Sequence, residues 1–297
     1  MASVDAIPSC ETEDAGCSLE KGDRADVMTR AIDEAPESSA VADAPRPRPI
    51  WTEALTVPEL LVTVPGAAVA ALAAPPGGAR PVLVLPGFVT GDITTAPLRA
   101  FLRSLGHRPF GWGLGLNVGV ADHIAGGLDR LIQELAHRHG STIDIVGWSA
   151  GGLLGRLLAQ HRRELIGQVI TLGSPIRLST GDSNIGMLQE LAGKLFVPIP
   201  PRIDVDQIPV PSTTIWTAQD GIVPGRLCRQ TPGPTAECVQ VRGTHIGLAT
   251  NPSVMYAIAD RLAQRPDDWQ PFTPRRRLRW WYPSLEQDPS DASADTV

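Results

Sequence analysis

A chain of 297 residues with 42% hydrophobic side chains has enough apolar material for one enzyme-sized domain with a sizeable core. Its net charge of −6 is carried by residues 1–50, where 11 Asp and Glu face 5 Lys and Arg, while the other 21 acidic and 21 basic side chains cancel. A neutral body argues against nucleic acid as the main partner, because a phosphate backbone needs net basic surface, and leaves neutral or apolar substrates open.

Residues 1 to about 48 are rich in Asp, Glu, Ala, Ser and Pro and end in Ala44-Pro45-Arg46-Pro47-Arg48-Pro49. Such a composition buries too little apolar surface to offset the entropy of ordering, so a disordered acidic tail is expected. No basic start followed by an unbroken apolar run marks a secretory signal, which makes a cytoplasmic location the expectation. In that compartment Cys10, Cys17, Cys228 and Cys238 are thiols, although the spacing of the last two also permits a small-loop disulfide. From Trp51 to Ala74 runs an apolar segment broken by Pro58, Pro65 and Gly66. It is shorter than the roughly 20 unbroken apolar residues of a membrane span. One or two short helices are expected there, packed on the body or lying at a membrane surface.

After Pro75-Pro76-Gly77-Gly78 the pattern alternates between short apolar runs and amphipathic stretches. Pro81 to Leu85 reads as a buried strand. A helix from about Pro97 follows, with Leu98, Phe101, Leu102 and Leu105 on one face, Thr95 as its cap and Gly106 at its end. Pro109 to Leu116 reads as a second strand, and Ile124, Leu128, Leu131, Ile132 and Leu135 line a helix that stops at Gly140. Ile143 to Val146 is a strand, Ala150 to about His161 a helix, and Gln168 to Leu172 a strand. Between about 175 and 211 the rhythm breaks into a polar stretch, a helix near 185–195 and a proline-rich run, the size of a small cap or lid. Strands resume at Thr213 to Thr217 and Cys238 to Val241, and a last helix begins at Asn251-Pro252. Strands alternating with helices imply an α/β domain over 49–266 with a mostly parallel central sheet flanked by helices. A tail over 267–297 carries the basic-aromatic segment Arg275 to Tyr282. That segment either packs on the domain or meets an anionic membrane.

The strand ending at Val146 runs into Gly147-Trp148-Ser149-Ala150-Gly151-Gly152 and then a helix, which is the strand, tight turn, helix context of the GxSxG motif. A serine hydroxyl attacks only when a base takes its proton, so a histidine and an orienting acid must follow in the chain. Asp220 lies just past the strand Thr213 to Thr217, and His245 lies on the loop before the last helix. The other five histidines sit at or near helix ends. Asp204 and Asp206 are alternative acids, but lie within the cap connection. Charge developing on a carbonyl oxygen needs preorganised N–H groups, for which the candidates are Ala150, after the serine, and Phe88, in the loop after the first strand. Trp148, beside the serine, is a candidate for lining the substrate pocket or for a structural role.

The segments Leu85-Pro86-Gly87-Phe88, Gly147 to Gly152, Thr171 to Pro175, Asp220 to Pro224 and Gly243-Thr244-His245 together resemble the bacterial lipase and esterase branch of the α/β-hydrolases, over roughly Pro81 to Leu262. The resemblance implies the α/β-hydrolase fold, with a small cap between the sixth and seventh strands of that fold. It also implies ester hydrolysis by a triad of Ser149, Asp220 and His245, with Phe88 and Ala150 as oxyanion donors. Pro86 stands where many such lipases have a histidine, a departure that bears on support of the oxyanion loop. No carboxylate pair marks a structural calcium site, so neither metal nor cofactor is expected. The expected partner is a small-molecule or lipid ester, with peripheral membrane contact through 275–282. Acyl transfer to another acceptor, by the same residues, and a non-catalytic interaction protein on this fold are the competing readings.

Overall fold

A computed structural model describes residues 50–78, 80–119, 121–179, 202–264 and 268–283. The expected acidic tail and the helix near 185–195 lie outside them. A 3-10 helix, Ile50–Leu55, leads into α1 (Thr56–Ala73). There follow β1 (Pro81–Leu85), α2 (Asp92–Ser104), β2 (Arg108–Gly111), α3 (Asp122–His139), β3 (Ile143–Trp148), α4 (Ala150–His161) and β4 (Ile166–Leu172). The short strands β5 (Arg177–Ser179) and β6 (Arg202–Asp204) pair antiparallel at the two ends of the long connection. The chain continues with β7 (Ser212–Thr217), the helical turn α5 (Gly225–Cys228), β8 (Ala236–Val241), α6 (Pro252–Ala263) and a 3-10 turn at Arg276–Trp281.

Six strands form one sheet in the order β2-β1-β3-β4-β7-β8, every neighbouring pair parallel. Alternation along the strands divides the core. Val82 and Val84 of β1, with Val146 and Trp148 of β3, face α2 and α6 on one side, while Leu83, Leu85, Ile143 and Ile145 face α3 and α4 on the other. Crossovers in such a sheet are right-handed, so the chain places helices on opposite faces according to which way it moves along the sheet. It steps outward from β1 to β2, then returns to the other side of β1 to lay down β3. The order therefore reverses between β1 and β3, and the loops leaving their carboxyl ends diverge to open a crevice there.

Several sequence expectations shift. The second strand ends at Gly111, because Gly113 and Gly115 adopt positive φ of 68° and 81° and turn the chain, with the Trp112 indole donating to the Gly115 carbonyl. The helix expected from Pro97 starts at Asp92, leaving Thr95 buried inside it with its hydroxyl on the Asp92 carbonyl instead of at the cap. Asp92 itself accepts from the N–H groups of Trp112 and Gly113. The apolar segment after Trp51 is one helix that passes through Pro65, with Ala67, Ala70, Ala71 and Ala73 in the core cluster that contains α6. The cap connection falls between the fourth and fifth strands of this six-stranded sheet. Cys228 and Cys238 are both free, and burial raises both thiol pKa values. Among the described residues no helix is long and apolar enough to cross a membrane.

Candidate active site

Ser149 sits between β3 and α4 with φ 53° and ψ −123°, a left-handed conformation that a side-chain-bearing residue adopts only where its surroundings impose it. Two close approaches impose it here. A Cβ on Gly147 would collide with the backbone of Gly151 and Gly152, and a Cβ on Gly151 would lie 2.5 Å from the Pro86 carbonyl oxygen and 2.6 Å from that of Leu85. The Ser149 N–H is fixed on the Leu172 carbonyl of β4, 2.8 Å away. The hydroxyl thus emerges at the carboxyl edge of the sheet, beside the crevice between β1 and β3.

His245 Nε2 lies 3.0 Å from Ser149 Oγ, and His245 Nδ1 lies 2.7 Å from Asp220 Oδ2. All three side chains are buried. The other oxygen of Asp220 accepts from the N–H groups of Ile222 and Val223, at 2.8 and 2.6 Å, which fixes the carboxylate plane. Asp206, the alternative acid, is engaged elsewhere: it accepts from the Thr231 N–H and hydroxyl and pairs with Arg177. Although burial raises its pKa, those hydrogen bonds from Thr231 and Arg177 hold it below the ordinary value. The side chain of Asp204 lies outside the description. Gly173, φ 55°, passes directly over the His245–Asp220 contact, and a Cβ there would sit 3.1 Å from Nδ1, 3.3 Å from Oδ2 and 2.8 Å from Leu248.

Phe88 lies in the loop after β1 and Ala150 at the first position of α4, where helix geometry leaves N–H groups without intrahelical acceptors. Asn117, fully buried, clamps that loop. Its side chain donates to the Pro86 carbonyl, its backbone carbonyl accepts from Val89 and its N–H donates to the Thr90 carbonyl. Asn117 supplies the support that Pro86 leaves to another residue. Trp148, expected at the pocket wall, is 8% exposed and braced under the histidine loop. Its indole N–H donates to the His245 carbonyl at 3.1 Å, and its ring lies where a Cβ on Gly87 would touch it.

Two carboxylates from the segment before the sheet complete the surroundings, and sequence reasoning passed over both. Glu53 accepts from Gly221 N–H at 2.8 Å and His245 N–H at 3.2 Å with one oxygen, and from Ile246 N–H at 3.0 Å with the other. It bridges the acid loop and the histidine loop. Glu59 accepts from the Thr244 N–H and hydroxyl, both at 2.9 Å; burial raises its pKa against the pull of those bonds, and nearby Glu53 raises it further. The one available signal was that α1 carries a single charge, Glu59. Among the described residues no three His, Cys, Asp or Glu side chains converge on a metal-sized site. A cavity of about 470 Å³ bounded by Gln133, His137, Ser141 and Glu164 opens before the amino end of β3, at the edge of the sheet opposite Ser149.

No family model matches the chain, and no curated protein matches it. Solved structures do. Lipase B of Aspergillus fumigatus aligns at 19% identity and TM-score 0.46, over 66% of this chain and 54% of that one, so the chain spans about half that lipase's length. An extracellular alpha/beta-hydrolase from a Paenibacillus species aligns at 15% identity and TM-score 0.44 over 61% and 99%. A monoacylglycerol lipase from Paleococcus ferrophilus aligns at 15% identity and TM-score 0.41 over 58% and 88%. Likeness at this level leaves the substrate open. With its parallel sheet, its reversal of strand order between β1 and β3 and its serine on a sharp strand-to-helix turn, the chain has the α/β-hydrolase fold.

Proposed function

We propose that the protein is a serine hydrolase of carboxylic esters. The observation that carries this reading is the buried hydrogen-bonded line from Asp220 through His245 to Ser149, with the serine held at positive φ on the elbow. Such a line matches each requirement of acyl transfer. His245 Nε2 takes the hydroxyl proton as Oγ bonds to the ester carbonyl carbon, and Asp220 holds the ring with its other nitrogen protonated and stabilises the imidazolium. The carbonyl oxygen, now carrying the charge, is received by the N–H groups of Ala150 and Phe88. Collapse breaks the bond to the alkoxy oxygen, which leaves as the alcohol with the proton from His245, and Ser149 is left acylated. Water then attacks the acyl carbon while His245 takes its proton. The acid departs, and Oγ regains a proton. The chemistry draws on no cofactor or metal.

A fluorophosphonate probe forms a bond with an activated serine alone, so wild-type protein should label stoichiometrically at Ser149 and hydrolyse p-nitrophenyl butyrate. Ser149→Ala should label at no site and lose at least about 10⁴-fold in kcat with its thermal midpoint unchanged. Undiminished hydrolysis by Ser149→Ala, or folded wild type that neither labels nor turns over, would overturn the reading.

A further inference from the structure

The helix α1 is built inside out. Leu61, Val62, Val64, Val69 and Leu72 are between 46% and 88% exposed, and Pro65 and Ala68 between them are exposed as well. At 3.6 residues per turn these seven positions fall on one side of the helix, in an arc of about 160°. No polar side chain interrupts it. The opposite side bears Gly66, Ala67, Ala70 and Ala73, which let the helix lie close against α6, and its one charge, Glu59, turned to Thr244. An ordinary surface helix of a globular protein presents its large apolar residues to the core and its charges to water. Here the large aliphatic side chains face outward, continuing through Leu55 and Trp51 at the amino end.

A second feature lies beside the first. In the turn Arg276–Trp281, Leu278 is buried, while Arg275, Arg276, Arg277, Arg279 and Trp280 are exposed, and 271–283 contains no acidic residue. The turn is anchored on the amino end of α6: Tyr282 donates to the Ser253 carbonyl, and the Trp280 carbonyl accepts from Arg242. The next link is the Arg242 carbonyl, which accepts from Asn251. The neighbouring Pro252 lies where a Cβ on Gly66 of α1 would meet it. The segment bearing four arginines and an exposed indole is therefore tied to the end of α6 on which Gly66 of α1 packs.

We propose that the outer face of α1 and the Arg275–Trp280 segment form one docking surface for an anionic lipid bilayer. Aliphatic side chains enter the acyl boundary, the indole lies at headgroup depth and the guanidinium groups meet lipid phosphates. The charges favour a bilayer over a second copy of the chain, because in a twofold pairing this surface faces itself, and its four arginines then find no acidic partner on the outer face of α1 or in 271–283. Since α1 packs along α6, it lies on the membrane and does not cross it. The surface also adjoins the candidate site: Ile246, next to His245, is 44% exposed, and Glu53 and Glu59 tie the approach to α1 to that loop. On the ester-hydrolase reading, the substrate class becomes a lipid ester drawn from the bilayer; the docking itself is independent of that reading.

The test is co-sedimentation of the full chain with phosphatidylglycerol/phosphatidylcholine vesicles and with phosphatidylcholine alone. Binding is expected to the first, at least tenfold weaker to the second, and weakened by salt. The variants Leu61→Ser/Val64→Ser/Leu72→Ser and Arg275→Gln/Arg276→Gln/Arg277→Gln/Arg279→Gln should each lose at least tenfold, with circular dichroism and thermal midpoint as for wild type. Absence of binding at low salt overturns the proposal. So does binding that survives both variants, or a dimer in light scattering that the serine variant abolishes without any vesicle binding. Fluorophosphonate labelling of Ser149 is read in parallel, so a protein that labels but ignores vesicles counts against docking alone.

Discussion

The serine and its histidine meet at 3.0 Å, yet they reach that meeting by different routes. Ser149 is placed by its immediate chain neighbours: β3 delivers it, Gly147 and Gly151 allow the strand, the loop after β1 and α4 to crowd together, and α4 carries the chain away. His245 and Asp220 lie on two loops 25 residues apart; Asp220 is fixed by the nearby Ile222 and Val223 N–H groups, whereas the His245 loop has no such local frame. Those loops are held by groups remote in sequence, namely Glu53 and Glu59 before the sheet, the Trp148 indole and the passage of Gly173 overhead. Ser149 Oγ is positioned mainly by local geometry and the His245 imidazole by long-range hydrogen bonds, which predicts that the two halves fail differently.

The largest effect expected on the histidine side is that of Gly173→Ala. The new methyl enters the space beside Nδ1 and Leu248, and the left-handed backbone adds about 1–2 kcal/mol of strain. A shift of the imidazole by a fraction of an ångström should lower kcat toward a soluble ester by about 10²- to 10³-fold, measured against a near-normal KM. Next comes Glu53→Gln. An amide keeps one acceptor but turns an NH₂ toward a backbone N–H, so a fall in kcat of about 10- to 100-fold is expected with KM within about twofold. Steady-state kinetics that split the other way, KM rising at constant kcat, would break the comparison by making Glu53 a contact for substrate. Glu59→Gln, one residue further from the imidazole, should cost up to about tenfold in kcat.

The smallest effect on activity sharpens the contrast from the local side. Asp144 lies in β3, before the elbow, fully buried, with Arg80 and Gln168 on one oxygen and nothing on the other. Burial pushes its pKa up to about 6, against the pull of the Arg80 charge. A carboxyl raised above its unfolded value near 3.8 favours folding below that pH and loses the contribution as pH rises through 6. Urea denaturation should therefore show wild type losing about 2–3 kcal/mol relative to Asp144→Asn between pH 4 and pH 7.5, while kcat at pH 7.5 stays within about twofold in the variant.

The same division explains what was legible in the sequence. β1, α4 and the elbow declare themselves through contiguous apolar runs, helical spacing and a glycine pattern, all local signals, and their bounds match the fold closely. Ser149, Asp220 and His245 were each named from a position just past a strand end, and these are the side chains that meet. Glu53, Glu59 and Asn117 gave no comparable signal, because carboxylates that accept backbone N–H groups more than 160 residues away, and an amide that donates to a carbonyl 31 residues back, have no periodicity to betray them. The glycine-broken strand expected to reach Leu116 ends at Gly111, because the sequence does not show that Gly113 and Gly115 turn the chain and end the strand. The bracing of the histidine loop by Trp148 was not legible, because a hydrogen bond from its indole to a carbonyl 97 residues on is invisible in one dimension.

One buried side chain has an evolutionary consequence. Arg156, on the helix that begins beside Ser149, donates to the carbonyls of Val205 and Asp206 and to Gln230, while Val205 N–H bonds Ile176 and β5 pairs with β6. Both feet of the connection over 180–201 thus stand together on the helix that begins beside Ser149. Closing a longer loop costs little, each doubling adding only about 0.6 kcal/mol. On that estimate, lineages built on this scaffold can change the length of the connection at little cost to the frame beneath it.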